Sequence, residues 1–151
     1  MPRDPYLLGS YADLLLDQRR PDEAAALVSG FKRIDGLLLR FAEAQPPAGR
    51  EARAAVEELQ GRFDNARARG DRVHQREEAR FHLRLLRQPA AALALAQANW
   101  RVQKEPADAR LLLEAARAAH DSAAEAEVLA WVTASRLEDI HLQPRTVASQ
   151  P

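Results

Sequence analysis

Leu15-Leu16-Asp17-Gln18-Arg19-Arg20-Pro21-Asp22-Glu23-Ala24-Ala25 returns 68 residues later as Leu83-Arg84-Leu85-Leu86-Arg87-Gln88-Pro89-Ala90-Ala91-Ala92-Leu93. Both stretches read as an apolar helix end, a polar turn, a proline, two first-turn residues and an alanine. Proline suits the first position of a helix, because its φ is already helical and its missing N–H would have no partner there. A third copy of the turn, Ala118-Ala119-His120-Asp121-Ser122-Ala123-Ala124, follows 33 residues further on. The offset of 68 is twice 34, so the chain reads as helical hairpins that repeat about every 34 residues.

Outward from these turns, Pro and Gly leave segments of ten to twenty residues in which apolar side chains recur at three and four. Asp4-Pro5 opens a first helix with Leu7, Leu8, Tyr11, Leu14 and Leu15 on one stripe, and Pro21 opens a second that Ser29-Gly30 closes. A third runs from about Ile34 to Ala44, up to the break Gln45-Pro46-Pro47-Ala48-Gly49. The fourth, Arg50 to Arg69, keeps Ala52, Ala55, Val56, Leu59, Phe63 and Ala66 on one face. A fifth from about Val73 to Arg87 and a sixth from Pro89 to Gln103 are linked by Gln88 alone, so they are antiparallel neighbours. Pro106 starts the seventh and Asp121-Ser122 caps the eighth. The expectation is a single all-α domain over 4–142, in four hairpins at 4–30, 33–70, 73–104 and 106–137, with 143–151 a flexible tail.

Composition agrees. The 151 residues include 31 Ala and 21 Leu but only seven Val, two Ile and two Thr, too few β-branched residues for a sheet. A chain of this length can bury roughly 70% of its unfolded surface, so it needs no disulfide staple, and it has no cysteine. Cysteine-dependent metal sites, iron–sulfur clusters and thiol nucleophiles are thereby excluded. No stretch approaches the ~18 apolar residues of a membrane span, and the N-terminus has no apolar signal core. The expectation is a soluble chain without membrane insertion, cytoplasmic or periplasmic.

In its turns and period the sequence resembles the bacterial tetratricopeptide-repeat family. Ala24 and Ala92 stand where that family packs a small residue against the first helix, while Arg19, Arg87 and His120 replace its turn glycine, and Arg80 stands in the third copy where the first has Ala12. The resemblance covers roughly 4–137 and implies about eight helices stacked as a right-handed α-solenoid with a concave side lined by the first helix of each hairpin. No polar capping repeat precedes the first helix, which leaves open that the chain is a piece of a longer array. The resemblance also places candidate partner-binding residues in that groove. These are Tyr6, Asp13 and Asp17 in the first copy, His74, Glu77, Phe81 and Arg84 in the third, and Arg110, Glu114 and Arg117 in the fourth. Tyr6 and Phe81 would serve as anchors, and the charged residues would fix register.

Motifs for catalysis are missing. There is no His-Glu-x-x-His, no Gly-x-Ser-x-Gly and no phosphate-binding Gly-x-x-x-x-Gly-Lys, and Glu138-Asp139-Ile140-His141 is a lone Glu-x-x-His where a di-iron bundle needs two. Neither a metal nor a cofactor is expected. Glu57-Glu58 reads as a solvated face, since Glu58 stands four residues before Arg62, and Trp100 and Trp131 read as packing between hairpins.

One charged feature stands out. Arg72, Arg76, Arg80 and Arg84 recur at steps of four, within a block (62–104) of ten basic and four acidic residues, while 105–139 holds three basic and eight acidic. The net charge of zero is therefore a cancellation. Either the blocks compensate one another across the stack, or the ladder is an exposed basic surface for an acidic peptide, a nucleic acid or a second copy of the chain. The expected function is a non-enzymatic protein–protein interaction module or scaffold that binds a partner segment on the concave face. The alternatives are nucleic-acid or acidic-partner binding through the ladder, with the zero net charge against nucleic acid, or an accessory repeat region of a larger enzyme or assembly.

Overall fold

The computed structural model describes residues 3–145, and residues 146–151 of the expected flexible tail lie outside them. Among the described residues there are eight α-helices and no strand: α1 (Pro5–Asp17), α2 (Pro21–Val28), α3 (Asp35–Ala44), α4 (Arg50–Ala68), α5 (Gln75–Arg80), α6 (Pro89–Val102), α7 (Pro106–Ala118) and α8 (Ser122–Ala134). Proline is the first residue of α1, α2, α6 and α7, and the Asp4 and Asp121 carboxylates cap α1 and α8 by accepting backbone N–H groups. Each odd-numbered helix packs on the next even one, giving four antiparallel hairpins, and α1, α3, α5 and α7 also touch in succession.

The three non-glycine residues at the repeated turn are all left-handed, with φ of 58° at Arg19, 56° at Arg87 and 57° at His120. At two of these turns the same pair of backbone bonds closes the helix. Arg20 N–H donates to Leu15 O at 2.8 Å and Asp121 N–H to Ala116 O at 2.9 Å, the wider bond of a Schellman motif. A residue with a Cβ pays about 1–2 kcal/mol for that conformation. The three turns thus share one backbone shape, and none of them uses glycine to reach it.

Helix α5 departs from its counterparts. After Arg80 it continues as a π turn over Phe81–Leu85, with Leu86 N–H donating to Phe81 O, and the closing bond at Arg87 is widened by one residue to Gln88 N–H on His82 O. A π turn holds one more residue than an α turn. The small, fully buried residue equivalent to Ala12 is consequently Ala79, and Arg80 turns to the side where the first helices meet. The helix also starts later than its sequence pattern suggests: Arg72 and His74 precede Gln75 and are exposed, so Arg72 is not a rung of a helical ladder.

Two large apolar cores lie along the stack, beside a small cluster of Leu15, Ala24 and Ala44. One gathers Leu8, Val28, Leu38, Leu59, Phe63 and Phe81 from the first two hairpins and the π turn. The other gathers Ala79, Trp100, Leu112, Leu113, Val128 and Leu142 from the last two and the short 3₁₀ turn Ile140–Leu142. Trp100 and Trp131 meet edge to face at 5.0 Å between ring centres, joining α6 to α8. Leu142 is fully buried, and Gln143 O accepts from Arg117 at 2.6 Å, so chain at the start of the expected tail is held against the last hairpin. No helix among the described residues is long and apolar enough to cross a membrane.

Candidate functional site: a charged cleft between the first helices

Side chains from α1, α3, α5 and α7 line one cleft of about 550 Å³. It holds six of the ten groove residues expected from the sequence, Tyr6, Asp13, Asp17, Glu77, Arg84 and Arg110. Glu114 stands behind its wall, bonded to Arg84 at 2.8 Å and to Arg110 at 2.8 Å. The other three are placed elsewhere. His74 is exposed at the residue before α5, and Arg117 pairs with Glu125 of α8 at 2.7 Å. Phe81 is fully buried, with its ring 5.3 Å from that of Phe63. The cause is the π turn: its extra residue rotates Phe81 away from the cleft and into the core.

The wall of the cleft is a continuous run of alternating charges. From α3, Arg40 donates to Asp13 at 3.0 and 2.7 Å and to the carbonyls of Gly9 and Gly36. Asp13 also takes a bond of 2.7 Å from Arg80, which forks onto Glu43 with two more of 2.7 Å. Arg84 reaches Glu43 and Glu114, and Arg110 passes from Glu114 to Asp17. Further along, Arg76 binds Asp108 through two nitrogens and Glu105 through one, while Asn99 supports Asp108 at 2.7 Å. Among the described residues no buried side-chain nitrogen or oxygen lacks a partner.

Three rungs of the arginine ladder, Arg76, Arg80 and Arg84, are therefore engaged inside the molecule. The charged blocks compensate one another, but not only within the last two hairpins, because Asp13 of α1 and Glu43 of α3 take part. Arg40 and Glu43 were not foreseen as site residues. A signal existed in their spacing of three, which sets opposite charges side by side on α3.

Burial alone would push the Asp13 and Glu43 carboxyls up, yet Arg80 beside both, with Arg40 on Asp13 and Arg84 on Glu43, holds each below its ordinary range. Asp13 falls to about 2. Glu114 is likewise lowered, against its burial, by Arg84 and Arg110, and Asp17 is lowered by its hydrogen bonds from Arg110. These acids stay ionised at any pH near neutrality.

The balance of the cleft is nonetheless negative. Its lining supplies five guanidiniums, from Arg40, Arg76, Arg80, Arg84 and Arg110, and five carboxylates, from Asp13, Asp17, Glu77, Glu105 and Asp139. Glu43, Asp108 and Glu114 stand directly behind and bring the acids to eight. Glu77 and Asp139 are the two lining carboxylates that no cation among the described residues approaches within ion-pair distance; Asp139 accepts the His141 backbone N–H at 2.8 Å, and the Glu77 stem lies beside Gly36. Tyr6 is 73% exposed and Ile34 37%, so the cleft also offers apolar surface.

Among the described residues no group of three or more His, Asp or Glu is placed to hold a metal ion. Comparison with protein-family models, with curated proteins and with solved structures returns no match to this chain.

Proposed function

We propose that the chain is a non-enzymatic interaction module of tetratricopeptide-like build, which holds a segment of a partner protein in the cleft between its first helices. The observation that carries this reading is the cleft itself, to which all four hairpins contribute and whose wall is fixed by ion pairs between hairpins. A preorganised surface loses little freedom on binding, and an exposed aromatic at its edge is the kind of side chain that anchors a partner. Nucleic-acid or acidic-partner binding through the ladder has less support, because the arginines that would contact phosphates or carboxylates already hold carboxylates of the chain.

The test is site-specific photocrosslinking in the intact chain, with the probe at Tyr6 in the cleft or at Val102, 81% exposed at the end of α6. A protein adduct formed from position 6, absent from position 102 and lost in a second sample with Asp17→Arg blocking the cleft, supports the reading. Identical adducts from both positions, or none from position 6, overturn it.

A further inference from the structure

We infer that the partner segment is basic: an Arg or Lys side chain enters the cleft, runs its apolar stem along Tyr6 and Ile34, and places its cation on Glu77. This rests on the interaction-module reading above and adds the chemistry of what is bound. Three observations carry it. The cleft and the groups directly behind it hold eight carboxylates against five guanidiniums. All five guanidiniums already hydrogen-bond carboxylates of the chain, so an incoming acid would have to displace an internal partner. Of the two lining carboxylates left without a cation, Asp139 accepts the His141 backbone N–H, while Glu77 lies beside Gly36, two residues from Ile34, and shares the cleft with exposed apolar side chains that suit the stem of a long basic residue.

Physically the sign is decided by what is unsatisfied rather than by what is abundant. The third hairpin has an excess of arginines in sequence, but in the folded chain each cleft arginine is matched, and a concave wall of low dielectric focuses the residual negative field outward. A cation approaching Glu77 gains a partner without breaking one. A phosphate or carboxylate approaching Arg76 or Arg84 does not.

The experiment measures fluorescence anisotropy of two labelled peptides of equal length, one rich in Arg and Leu and one with each Arg replaced by Glu, on the full chain. A single-stranded DNA oligonucleotide is the third probe. Saturable binding of the Arg peptide alone is expected, weakened about tenfold by Glu77→Gln and by Tyr6→Ala, and weakened further as salt is added. Glu77 is half-buried and unpaired, so Glu77→Gln should leave the helical circular dichroism and the melting temperature unchanged, which separates loss of binding from loss of fold. Binding of the Glu peptide or the DNA as tight as that of the Arg peptide overturns the inference, as does an Arg peptide that binds Glu77→Gln unchanged or does not bind at all. Crosslinking from position 6 decides the module reading separately: an acidic or neutral partner captured there keeps that reading and removes this one.

Discussion

Asp17 and Arg110 stand 93 residues apart in the chain and meet through two hydrogen bonds of 2.7 and 2.8 Å. They join the first helix of the first hairpin to the first helix of the last. Arg80 of the third hairpin already reaches past the second to Asp13 of the first, and the Asp17–Arg110 pair extends that bridging to the two ends, across the cleft.

A double-mutant cycle of Asp17→Ala and Arg110→Ala, read by urea denaturation, should give a coupling of about 1 kcal/mol. Both side chains are about a quarter exposed, so the coupling should shrink as salt is raised from low to physiological ionic strength. Strict additivity of the two substitutions would show that the ends are not energetically linked.

Acid should loosen the cleft wall first. The folded Asp13 carboxyl lies at about 2 against an ordinary 3.8, so its pairing contributes stability that is complete above about pH 4 and is lost as the pH falls towards 2. Its share is at most roughly 2 kcal/mol, and Glu43, Glu114 and Asp17, lowered likewise, act with the same sign. Chemical denaturation at a series of pH values should show this slope, and Asp13→Asn should flatten it. A stability that is level between pH 5 and 2 would contradict the pairing.

The left-handed turns predict gains. Arg19, Arg87 and His120 are exposed, and each occupies a φ near 57° that glycine adopts at no steric cost. Replacing any one by glycine should stabilise the chain by about 0.5–1 kcal/mol, or roughly 3 °C in melting temperature. Gly70, at φ 73°, should respond in the opposite direction to alanine. A melting temperature lowered by Arg19→Gly would show that the arginine side chain, not the backbone, governs the turn.

Phe81 and Tyr6 should separate cleanly. Phe81→Ala empties a fully buried site and should cost about 3–5 kcal/mol, whereas Tyr6→Ala, at a residue 73% exposed, should stay within about 0.5 kcal/mol. Equal costs in thermal or urea unfolding would contradict the placement of the two rings.

The hairpins were legible because their boundaries are written locally. Pro5, Pro21, Pro89 and Pro106 open helices, Asp4 and Asp121 cap α1 and α8, and Arg19, Arg87 and His120 share one left-handed turn conformation at the spacing the sequence repeats. The π turn was not legible, since no residue type demands it. That one extra residue accounts for the misplacement of Phe81 and for the mismatch of Arg80 with Ala12. The pairing of the ladder was hidden for a different reason. Asp13, Glu43 and Glu114 are far from Arg80 and Arg84 in sequence, and only the succession of first helices brings them together.

The two large apolar cores part where α5 runs into its π turn: Ala79 belongs to one and Phe81, two residues on, belongs to the other. A short helix that changes pitch at that point is a joint between two separately packed halves. Phe81 fills the first core from the third hairpin, so amide exchange should sort the chain into two cooperative units that divide between Arg80 and Phe81 rather than between hairpins. The charged span from Asp17 to Arg110 then acts as a clasp across the joint, and cutting it should let the halves exchange at rates of their own.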